Sequence, residues 1–117
     1  MQRYAIVNGA VELLVGLFGL FGASLFTFVD GYSAPTFFWM KMYAAAGVFV
    51  GLYSFISAWF MNEGGVRKVY ALSMIVFHLL IAAVLIYGLM TGVLKLPGAI
   101  GGHVGFAIGF VLLGLEK

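Results

Sequence analysis

Residues 68–87 read KVYALSMIVFHLLIAAVLIY. After Lys68 no charged side chain interrupts the run, and its length matches the roughly 20 mostly apolar residues that a helix needs to cross the hydrocarbon core of a bilayer. Working outward from this segment, which extends to about residue 88, three other windows have the same character. One covers about 4–28 and is broken only by Asn8 and Glu12. Another covers about 36–60, with Lys41 near its start, and the last covers 97–115, with His103 inside it.

Composition points the same way. The 117-residue chain is 64% hydrophobic and 9% charged, whereas a soluble domain carries about 25% charged residues. With no linker and little length to spare, 1–117 reads as one domain. The expected fold class is all-α: an integral membrane four-helix transmembrane bundle in up-down order, in a multi-pass arrangement that suits a cytoplasmic or inner membrane. The net charge of +2 is too small and too scattered for a nucleic-acid footprint, which needs a basic stripe on one face. Cysteine is absent, which excludes disulfides, thiolate metal sites and cysteine nucleophiles.

Turn residues separate the windows: Asp30-Gly31-Tyr32-Ser33-Ala34-Pro35, then Asn62-Glu63-Gly64-Gly65, then the stretch from Gly88 to Pro97. Pro35 and Pro97 suit the first turn of the helix that follows, where a missing N–H removes no intrahelical bond. Trp39 and Trp59 are separated by about 30 Å of helical rise, close to the hydrocarbon thickness. Tryptophan favours the membrane interface, so the pair marks both edges. Tyr32, Phe37 and Phe38 join one belt, and Tyr4, Phe60 and Tyr70 the other. Arg3, Arg67, Lys68 and Lys117 fall on the side of the termini, against Lys95 and Lys41 on the opposite side. The positive-inside rule therefore places both termini in the cytoplasm. The first apolar run is long for a cleaved secretory signal and is expected to stay as a span.

Small residues are patterned. Gly9, Glu12, Gly16, Gly19 and Ala23 recur at three- and four-residue steps in the first helix, as do Ala44, Gly47, Gly51, Ser54 and Ala58 in the second. The fourth carries Gly101, Gly105 and Gly109. Such stripes let backbones approach closely, which is how helices associate in lipid. They serve either the interior of one chain or contact with another copy or a larger membrane partner.

Ionisable groups deep in a span are functional candidates by default. Measured from the cytoplasmic edges at about 1.5 Å per residue, Glu12 and His78 lie about 12 Å deep, Tyr53 about 9 Å and His103 about 18 Å. Glu12, Tyr53 and His78 are therefore expected at one level, with Asn8, Ser54 and Ser57 near. Desolvation disfavours a charged carboxylate, which suits exchange of a proton against a substrate. The alternative role is a hydrogen bond that holds two helices together. His103, roughly opposite the Gly101–Gly105 stripe, is expected to make a separate contact. Histidines on adjacent helices at one depth could hold haem, but here the depths differ by about 6 Å and no HxxxH pair or carboxylate cluster accompanies them. Neither a Gly-x-Ser-x-Gly turn nor a phosphate-binding glycine loop is present, and nothing in the sequence specifies a cofactor.

Glu12 in the first helix, the turn Asp30-Gly31-Tyr32 before Pro35, and Leu96-Pro97-Gly98-Ala99-Ile100 opening the fourth helix loosely resemble the small multidrug resistance transporters. That resemblance implies a proton-coupled exporter, although the third helix lacks the tryptophan expected there. The glycine-rich four-helix plan is also similar to DoxX-like small membrane proteins, without a specific motif of theirs. Three functions follow as expectations. The leading one is a non-enzymatic subunit of a homo-oligomer or larger membrane complex. The others are a proton-coupled small-molecule transporter using Glu12, and a haem- or lipid-associated membrane enzyme using His78 and His103. The partners expected are the lipid bilayer and another membrane protein chain. In sealed vesicles, single cysteines introduced at Gly64 and Gly92 are expected to react with impermeant maleimide from opposite sides; reaction of both from one side contradicts the four-span reading.

Overall fold

In hydrocarbon every backbone N–H and C=O needs a partner within the protein, which helices supply segment by segment. A computed structural model describes residues 1–22, 34–92 and 97–115, and helix is their only regular structure. The elements are α1 (Gln2–Phe21), α2 (Ala34–Trp59), α3 (Gly64–Met90) and α4 (Pro97–Gly114). Each is long and apolar enough to cross a membrane. The expected extension of the first helix to residue 28 falls on 23–33, outside the described residues. Pro35 lies in the first turn of α2, and Pro97 opens α4.

α3 starts at Gly64 rather than at Lys68. The turn is confined to residues 60–63, because Glu63, extended at φ −81° and ψ 112°, already acts as the residue before the helix. Its carbonyl accepts the N–H of Arg67 at 3.0 Å, so both glycines enter the first turn, whose N–H groups have no intrahelical partner in any case. At the other end the Thr91 hydroxyl donates to the carbonyl of Tyr87 at 2.9 Å. Gly92 then takes a left-handed φ of 71°, a conformation open to glycine and costly for other residues.

Contacts divide the chain into two units: Gln2–Trp59, and Phe60–Lys117 together with Met1. In the first unit, α1 and α2 run in opposite directions with backbone against backbone. A Cβ placed on Gly16 would stand 2.6 Å from the Val48 nitrogen and 2.7 Å from the Ala44 oxygen. On Gly51 it would stand 2.8 Å from the Leu13 nitrogen, and on Gly9 3.1 Å from the Gly51 oxygen. Asn8 Nδ2 donates to Ser54 Oγ at 3.0 Å in the buried seam, and Lys41 Nζ donates to the Leu20 carbonyl in the last turn of α1.

In the second unit, α3 and α4 are also antiparallel, but side chains fill the seam. Arg67 Nη2 donates to the Leu113 carbonyl at 2.9 Å. Tyr70 meets Phe110 edge to face, with centroids 5.6 Å apart. Gly114 receives the Ala71 side chain so closely that a Cβ there would collide with it. Tyr70, expected in an interfacial belt, is instead wholly buried, because it falls on the α3 face of Ala71, Met74, His78, Ala82 and Leu85.

The glycines divide accordingly. Gly16→Ala is expected to lower stability by about 1–3 kcal/mol through overpacking. Gly65→Ala, with nothing within 4 Å of its added carbon, should be neutral or raise stability by up to about 1 kcal/mol. Thermal unfolding in detergent checks both.

Candidate functional site: a histidine pair in an aromatic cage

The face of α4 that meets α3 carries His103, Ala107, Phe110 and Gly114 as buried residues, the three- and four-residue steps of one helical stripe. α3 answers with Tyr70, Met74, His78 and Ala82. Antiparallel pairing then sets His78 opposite His103. Their Nδ1 atoms are 2.8 Å apart, the length of a hydrogen bond. His78 is 0% exposed and His103 6%.

A neutral imidazole carries one N–H and one lone pair. For this contact to exist, one ring donates from Nδ1 and the other accepts at Nδ1, so the two rings hold opposite tautomers and share a single proton between them. The ring planes are tilted by 42° with centroids 5.1 Å apart. Phenylalanines fix both rings. His78 stacks on Phe106 at 5.2 Å and on Phe110 at 5.7 Å. The Phe77 edge faces His78 at 5.2 Å and His103 at 6.2 Å.

The depth estimate, which separated the two histidines and gave His103 a separate contact, is corrected by this geometry. It counted inward from assumed helix ends at Tyr70 and Leu115, whereas α3 begins a turn and a half before Tyr70. Register is set by the Tyr70–Phe110 and Ala71–Gly114 contacts, and these bring the rings level. The cage residues Phe77, Phe106 and Phe110 were not singled out from sequence. The usable signal was the spacing of His103, Phe106 and Phe110, which lie on one face of α4.

Glu12 and Tyr53 belong to the α1–α2 unit. Glu12 is 4% exposed and lies level with Gly47, where a Cβ would stand 3.6 Å from Oε2. Tyr53 is half-buried further along α2, next to Ser54 and so level with Asn8. Of the small residues expected to pack, Gly16, Gly19, Gly47 and Gly51 all meet the opposite helix. Gly101 and Gly105 meet nothing within 4 Å, and Gly109 is half-buried. No protein-family model, curated protein or solved structure matches the chain.

If the shared proton couples the two histidines, His78→Gln and His103→Gln should each lower stability by roughly 0.6–1.7 kcal/mol, the range for hydrogen bonds between membrane helices. The double variant should lose clearly less than the sum. Thermal unfolding of the four proteins closes the cycle, and strict additivity contradicts the coupling.

Proposed function

We propose that this chain is a multi-pass membrane protein that acts as a non-enzymatic subunit of a homo-oligomer or a larger membrane complex. In this reading the four helices cross the bilayer in up-down order with both termini in the cytoplasm. Support for insertion comes from the large apolar side chains that each helix turns outward, among them Phe18, Phe49, Leu80 and Leu112. The basic residues Arg3, Arg67, Lys68 and Lys117 support the orientation.

One observation carries the subunit role. The helix-interior glycines of α1 and α2 meet an opposing backbone or side chain within contact distance, yet Gly98, Gly101, Gly102 and Gly105 of α4 have nothing within 4 Å. Glycine inside a helix costs about 1 kcal/mol relative to alanine, and close approach of another backbone is what offsets that cost in membranes. The interior polar groups fit a packing role as well, since Asn8 bonds Ser54 and His78 bonds His103.

A second reading, proton-coupled transport of a small molecule, is favoured by the burial of Glu12 on the glycine face. Two variants separate the readings. Gly105→Leu, with open space for its side chain, should leave the chain folded but reduce its assembled mass in detergent, measured by light scattering. Unchanged mass argues against assembly through α4. Glu12→Gln should leave assembled mass unchanged; loss of a proton-driven flux in proteoliposomes would instead favour the transporter.

A further inference from the structure

We draw no further inference here: the strongest candidate, the His78–His103 pair in the seam of α3 and α4, belongs to the site already described, where the two rings bond each other and are flanked by Phe77, Phe106 and Phe110, a lining that specifies no ligand.

Discussion

Between Gly16 and the Ala44–Val48 stretch of α2 there is no room for one more carbon atom. That closeness is the constraint on which the α1–α2 unit depends. In lipid, helices gain nothing from hiding apolar surface, because acyl chains are as apolar as leucine. What remains is dispersion over many short contacts, together with the few hydrogen bonds that close approach permits. Once the backbones touch, Asn8 lies within reach of Ser54 and Lys41 within reach of the end of α1. A larger residue at Gly16 would strain the seam at its tightest point.

The α3–α4 unit solves the same problem with bulk. Glycine meets the facing helix closely at Gly114, while along the rest of the seam Tyr70, Met74, His78 and Phe110 interdigitate. Aromatic edges and faces, with their complementary charge distribution, add to dispersion there. The histidines fit because the phenylalanines flank them and because each ring satisfies the other. Both units share one device: Lys41 and Arg67, near the start of α2 and α3, donate to carbonyls in the last turns of α1 and α4. Those carbonyls lack intrahelical partners and carry the negative end of the helix dipole.

Much of the fold was legible because it is periodic. Four apolar runs of spanning length, and small residues recurring every three or four positions in 9–19 and 44–58, project directly onto helices and their shared face. The seam of α3 and α4 was less legible, because register between antiparallel helices depends on contacts rather than on counting from the ends. Moving the start of α3 to Gly64 and fixing Tyr70 against Phe110 was enough to bring His78 and His103 together, when depth alone held them apart. Glu12 was readable as a buried carboxyl on a glycine face, since both features follow from one stripe. The phenylalanine cage was hidden in a chain with 12 phenylalanines, where no single one stands out.

Pairing between sequence neighbours also bears on how the protein is made. Ribosomes deliver the chain from the N-terminus at about 5–20 residues per second, so α2 is complete seconds before α4 exists. The glycine contacts of α1 and α2, the Asn8–Ser54 bond and the Lys41 clasp all lie within Gln2–Trp59. Loops this short cost little entropy to close, and local contacts form fast. The first hairpin can therefore reach its final packing during synthesis, with the Asn8–Ser54 bond made before the rest of the chain arrives.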